Sequence, residues 1–253
     1  MPVEYADNML FLEGPDDVHA IGMMLKGLGL TKLRDKKDKT IGPLKLSINS
    51  ADHNSPELDI LHSKSVQKAL NDFQGRLANT EEPKNAIGLI IDFDRQVDNR
   101  PEQARSRLQG LHDNDDNDLQ WIFPASFTDP AGTILKRAND STPRVGVWLM
   151  PDNHNPGMLE TFLKDLIPEA SKPRAEFASN SAKQAKSEYN AKYKDVHAEK
   201  SAVHTFLAWE DEPGNPFGQA FHSNSFDPTL EAAKPFIRWF CKLFDVPLPE
   251  HIQ

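Results

Sequence analysis

Three apolar runs along the chain each end in carboxylates. Met9-Leu10-Phe11-Leu12 leads into Glu13, Ile87-Gly88-Leu89-Ile90-Ile91 into Asp92-Phe93-Asp94, and Val145-Gly146-Val147-Trp148-Leu149-Met150 into Pro151-Asp152. Short continuous apolar runs are the pattern of strands buried on both faces, as in parallel sheets. Segments with helical spacing lie between them. Asp16 and Asp17 open one that continues through Val18, Ile21, Leu25 and Leu28, with Gly27 and Gly29 at its end. Val66, Ala69, Leu70, Phe73 and Leu77 mark a second, and Pro101 starts a third through Leu108 and Leu111. After Asp152, Asn155 reads as a cap and Pro156 as the first position of a helix that carries Leu159, Phe162, Leu163, Leu166 and Ile167. Lys45–Asn49 alternates like an edge strand, Trp121-Ile122-Phe123 reads as another short strand, and residues 124–143 read as irregular.

Alternation of strand and helix predicts an α/β fold, with a mostly parallel central sheet flanked by helices and right-handed crossovers. The pattern changes after Pro168. Residues 172–200 are polar and helical in spacing, with Lys172, Arg174, Lys183, Lys186, Lys192, Lys194 and Lys200 set against Glu176, Glu188, Asp195 and Glu199. Tyr189 and Tyr193, four apart, would share a helix face. A last apolar helix carries Phe236, Trp239, Phe240, Leu243 and Phe244. The expected organisation is an α/β core over residues 1–168 and a helical C-terminal extension over 169–253, packed on that core.

Composition narrows the classes. With 253 residues, 38% hydrophobic and 26% charged, the chain has the make-up of a soluble globular protein. No run reaches the roughly 20 apolar residues of a membrane helix, so no membrane association is expected. The N-terminus lacks the charged and apolar regions of a signal peptide, and the single cysteine, Cys241, excludes an internal disulfide. Both point to a cytoplasmic protein. The net charge of −9 opposes nucleic-acid binding by bulk electrostatics. Carboxylates that hold a metal contribute to that charge without opposing such binding, because the ion inverts the local field. The acidic run His112–Asp118 lacks the glycine and bidentate glutamate of a calcium loop and reads as a solvated turn.

Side chains at the carboxyl ends of parallel strands line the crevice where open α/β sheets place their chemistry. If the three apolar strands are neighbours, Glu13, Asp92, Asp94 and Asp152 converge. Four carboxylates cannot all ionise together without a counter-charge, and a hard divalent cation such as Mg²⁺ or Mn²⁺ supplies one. Asp92 and Asp94, two apart on a strand, point to one side. Asp17 serves equally well as a first-turn acid or as a ligand, and Asp152 with Asn153 equally well as a turn. The nine histidines show no zinc-ligand spacing.

Phe11-Leu12-Glu13-Gly14-Pro15-Asp16-Asp17, followed by Ile90-Ile91-Asp92-Phe93-Asp94, resembles the Toprim domain of topoisomerases, primases and the overcoming-lysogenization-defect nucleases. Through Gly146–Asn153 and Gly157–Glu160 it resembles still more closely the compact Toprim-related proteins of bacteria that lack a known function. The resemblance covers residues 8–165 and implies a Toprim-like sheet. It implies that Glu13 acts as a general acid or base or as a ligand, and that Asp92 and Asp94 hold Mg²⁺. In the nuclease branch Asp17 matches a further acid, Asp152 or Glu160 a second-metal ligand, and Lys200, or alternatively Lys183, a lysine near the reacting phosphate. The implied function is metal-dependent phosphodiester hydrolysis of nucleic acid, DNA or RNA. No tyrosine-bearing cleavage domain, zinc-finger cysteines or phosphate-loop motif is present, so any ATPase would be a separate partner protein. The alternative is a non-catalytic Toprim-like module that binds a nucleotide or partner protein within a phage-defence or toxin system.

Overall fold

The computed structural model describes residues 6–33, 44–48, 56–78, 85–93, 101–102, 104–106, 109, 121–122, 127–137 and 143–252. The described residues form eight strands: β1 (Asn8–Leu12), β2 (Thr31–Leu33), β3 (Leu44–Ile48), β4 (Glu57–His62), β5 (Ala86–Asp92), β6 (Trp121–Ile122), β7 (Thr133–Arg137) and β8 (Arg144–Met150). They form one sheet in the order β2-β3-β4-β1-β5-β8-β7-β6. The pairs β4–β1, β1–β5 and β5–β8 are parallel, and every pair outside that centre is antiparallel. The sheet is therefore mixed, with a parallel centre. The three apolar runs are its consecutive strands β1, β5 and β8.

Strand alternation divides the core into two layers. Leu10, Leu12, Ile90, Trp148 and Met150 face one side, where they meet the helices α1 (Pro15–Gly27), α3 (Leu159–Asp165), α5 (Ala198–Leu207), α6 (Phe217–His222) and α7 (Lys234–Phe244). Met9, Phe11, Ile87, Leu89, Ile91, Val145, Val147 and Leu149 face the other, against Ala69, Leu70 and Phe73 of α2 (Val66–Ala78) and against Ala104. Burial on both faces is why these strands carry no polar alternation.

The C-terminal helices complete the first layer. Phe236, Ile237, Phe240, Leu243 and Phe244 form one stripe of α7 and are all buried. Phe236 meets Trp148 edge to face and Trp239 lies tilted against it, with ring centroids 5.2 and 5.7 Å away. Two glycines let α7 settle onto the strands. A Cβ on Gly88 would lie 3.0 Å from Leu243 Cδ2 and 2.6 Å from Leu10 Cδ1, and one on Gly146 would lie 2.7 Å from Leu243 Cδ2. The extension thus builds part of the central core and shares one apolar cluster with the strands.

Several elements differ from the sequence expectation. β4 has no counterpart among the expected elements, although it lies against β1. Asp59 interrupts its apolar run, and the fold accommodates that buried carboxylate by an Ala6 N–H bond of 3.0 Å. β7 occupies a stretch expected to be irregular. The helix after Asp152 begins at Leu159, with Met158 as its cap, because residues 151–157 are held in bridges Pro151↔Pro156 and Phe93↔Gly157. The basic segment is two helices, α4 (Lys172–Tyr189) and α5. The left-handed Asn190 ends α4, so Tyr189 and Tyr193 do not share a face. Tyr193 turns back instead and donates its hydroxyl to Ala182 O at 2.8 Å, while Tyr189 is exposed.

A carboxylate cluster at the end of the parallel strands

Glu13 leaves the end of β1 at the point where Gly14 and Pro15 turn the chain into α1. Its Oε1 accepts a hydrogen bond of 2.9 Å from the backbone N–H of Asp92, at the end of the adjacent β5. The two strand ends are thereby tied together across the parallel ladder. Asp17, one turn into α1, accepts the Gly14 N–H on Oδ2 at 2.8 Å. It is a helix-capping acid and a member of the cluster at once.

Asp92 Oδ1 accepts the Leu159 N–H at 3.0 Å, the first amide of α3. That amide is placed by the close passage of 156–158 under β5, where Gly157 N–H bonds Phe93 O at 2.6 Å. A Cβ on Gly157 would sit 2.8 Å from Pro151 Cδ, so the approach requires glycine. The next residue of α3, Glu160, is 6% exposed. Its Oε1 lies 3.4 Å from Lys200 Nζ, which comes from the first turn of α5 and also reaches Asp16 Oδ2 at 3.7 Å.

Crowding of like charges governs the titration of this group. Burial, with the neighbouring Glu13 and Glu160 carboxylates, lifts Asp17 to about 7 against the opposing Gly14 N–H and Lys200. Burial and the charges of Glu13, Asp17 and Glu160 push Asp92 well above the usual carboxylate range, although the Leu159 N–H pulls the other way. Burial alone would lower Lys200, but Glu160, Asp16 and Asp17 together hold its ammonium above the ordinary lysine value. An excess of buried negative charge is thus answered by one lysine and by a raised affinity of Asp17 and Asp92 for protons. Oxygen donors are what a hard cation takes, although the described acids here are not grouped so as to share one.

Glu13, Asp17, Asp92, Glu160 and Lys200 are therefore brought together from β1, α1, β5, α3 and α5. Asp152 is not among them. Its carboxylate closes the turn after β8, accepting the His154 and Asn155 N–H groups at 3.0 and 2.7 Å, and the acid it influences is Asp165. Asp94 lies outside the described residues, as does the acidic run 112–118. Lys183 lies on α4 and lines a separate cavity. Asp16 reads from the sequence only as a residue that opens a helix, and its contact with Lys200 depends on the tertiary placement of α5. Among the described residues, no three carboxylate, imidazole or thiolate groups are grouped so as to hold a metal ion. Cys241 is buried, and burial pushes its thiol up to about 12, so it is a packing residue. No helix among the described residues is long and apolar enough to cross a membrane.

Fold and site together define an α/β protein with a cluster of acids at the carboxyl edge of its parallel strands. Over residues 7–245 the chain matches the family described as protein of unknown function DUF3226, and it belongs to that family. The crystal structure of hypothetical protein PH0156 from Pyrococcus horikoshii OT3 aligns with 97% of this chain and 98% of that one, at 17% identity and a TM-score of 0.48. No curated protein matches the chain.

Proposed function

We propose that the protein is a Mg²⁺- or Mn²⁺-dependent phosphodiesterase acting on nucleic acid, with a Toprim-like carboxylate site. The observation that carries this reading is the convergence of Glu13, Asp17, Asp92 and Glu160, with Lys200, at the carboxyl edge of β1 and β5. Acids gathered from four separate elements cost stability, and such a cost is retained where it serves a site. As they stand, no three of the described acids are grouped to share an ion; Asp92, Asp17, Glu160 and Glu13 would hold one only after their side chains turn toward a common point, with Asp94 the remaining candidate from sequence. Bound there, it would supply Lewis-acid polarisation of a phosphoryl oxygen and activation of water.

The chain's own groups divide the other tasks. Glu13, fixed by the Asp92 N–H, holds the two strand ends in register. Lys200, next to Glu160, sets a positive charge where a non-bridging or leaving oxygen gains negative charge. The test is Mn²⁺-dependent hydrolysis of DNA and RNA oligonucleotides and of bis(p-nitrophenyl) phosphate. Asp92→Asn is expected to lower turnover at least a hundredfold, and undiminished turnover in that variant sinks the reading.

The raised proton affinity of Asp92 and Asp17, with backbone amides engaging Asp92 and Glu13, favours a second reading. In it the chain is a non-catalytic module that binds a nucleotide or partner protein, in the setting of a phage-defence or toxin system. Calorimetric titration separates the two, since only the first requires binding of Mg²⁺ or Mn²⁺ at millimolar concentration.

A further inference from the structure

The first turns of three helices meet through one ammonium: Asp16 in α1, Glu160 in α3 and Lys200 in α5. Acids suit that end of a helix, and a lysine stands against the dipole there. What favours the charge of Lys200 is therefore the acids that face it, not its own helix. Its Nζ lies 3.4 Å from Glu160 Oε1 and 3.7 Å from Asp16 Oδ2. A charge-assisted N–H···O bond closes to about 2.7–2.9 Å. The other ion pair between α3 and α5, Lys164 with Glu199, is that short, at 2.6 Å. Lys200 is thus shared between two carboxylates and bound tightly to neither.

The partners also differ in exposure. The Lys200 side chain is 42% exposed and that of Glu160 8%. The ammonium can swing into water, while the carboxylate stays where it is. A buried carboxylate left without a counter-charge is costly, so Glu160 requires a cation beside it. Among the described residues no three acids are grouped so as to hold a metal ion, and the place beside Glu160 is taken by Lys200. Two cations at one poorly solvated carboxylate repel each other at short range.

We propose that Lys200 is the resident counter-ion of the carboxylate cluster in the metal-free protein: its ammonium must leave Glu160 and Asp16 before the acids can turn toward a shared Mg²⁺ or Mn²⁺, so that lysine and divalent ion compete for the same carboxylates. The entry of an ion at these acids rests on the phosphodiesterase reading, whereas the competition needs no hydrolysis. The released ammonium, on its half-exposed side chain, is then free to meet a phosphoryl oxygen.

The test is Mn²⁺ uptake by the full chain, followed from the electron paramagnetic resonance signal of the free ion at low salt and without substrate. Lys200→Gln removes the charge at similar length, and Lys200→Arg keeps it. Lys164→Gln removes the shorter ion pair between the same two helices. Lys200→Gln is expected to bind Mn²⁺ at least tenfold more tightly than the parent, with Lys200→Arg no tighter than the parent and Lys164→Gln within twofold of it. The proposal is overturned if Lys200→Gln binds no more tightly than the parent, if Lys200→Arg or Lys164→Gln tightens binding as much, or if neither the parent nor Lys200→Gln takes up Mn²⁺ at millimolar concentration. Should Lys200→Gln fail to fold by circular dichroism, Lys200→Met is measured in its place against the same outcomes. Tighter Mn²⁺ uptake by Lys200→Gln together with undiminished turnover in Asp92→Asn sinks the phosphodiesterase reading and keeps the competition. Mn²⁺-dependent turnover with no tightening in Lys200→Gln does the reverse.

Discussion

Asp17→Asn should make the metal-free protein more stable, and increasingly so as pH rises. The carboxyl titrates at about 7 in the folded chain against 3.8 in the unfolded chain. A group with a raised folded value takes up protons on folding between those two pH values, so stability is greatest below about 4 and declines as pH climbs through about 7. Each tenfold difference in proton affinity between the folded and unfolded chain is worth roughly 1.4 kcal/mol, so Asp17 costs ~4 kcal/mol at pH 8, where the folded carboxyl is ionised, and about 2 kcal/mol at pH 5, where folding must protonate it. An asparagine cannot ionise, and its amide oxygen can still accept the Gly14 N–H. Urea unfolding of both proteins in EDTA at pH 5 and pH 8 measures the effect. The stability gap should widen by about 2 kcal/mol between the two pH values. Millimolar Mn²⁺ at pH 8 should narrow it, because the parent alone then gains the ion's binding free energy in full. A gap that is the same at both pH values refutes the physical account of the cluster, since it would mean that Asp17 is not held at a raised value by burial and its neighbours.

Other outcomes follow from the packing. Gly146→Ala should cost about 1–3 kcal/mol in urea unfolding, because the new Cβ meets Leu243 Cδ2 at 2.7 Å and Trp239 Cζ2 at 3.0 Å. Leu243→Ala should cost about 2–5 kcal/mol by the same assay, since its fully buried side chain fills the space over both strand glycines. A Gly146→Ala/Leu243→Ala double variant should be less destabilised than the two single costs added together. Cys241, whose thiol sits at about 12, should resist a thiol reagent at pH 8 in the native protein and react within minutes in denaturant.

Much of the site is legible in the sequence because its members lie at the ends of unmistakable strands. Glu13 and Asp92 each close an apolar run, and their spacing from α1 and Phe93 is local. Asp17 follows from one helical turn. Glu160 is readable only as a candidate, because residues on a short amphipathic helix say nothing about which polar side chain turns inward; here the Phe93–Gly157 bridge and the start of α3 at Leu159 set that rotation. Lys200 is one of several lysines in a basic stretch. The break at Asn190 and the packing of α5 against α3 and α4 single it out, and neither is encoded in local periodicity. Asp152 reads as a third strand-end acid, yet the turn it caps, with two backbone N–H groups on one oxygen, claims its carboxylate first.

By itself, the amino-acid sequence determined that three strands are buried on both faces, that helices separate them, and that acids stand at the strand ends. These are consequences of side-chain period and local spacing, which any conformation of those segments must respect. Only the tertiary structure decided that β1, β5 and β8 are neighbours, that β4 joins them despite a buried aspartate, and that the edges run antiparallel. It alone brought Glu160 and Lys200 to the strand ends, and it made the C-terminal helices part of the core through the glycines under α7. The physical reason is that pairing, register and helix crossing are settled by contacts between residues far apart in the chain. A hydrophobic pattern states which faces must be buried, and leaves open which partner buries them.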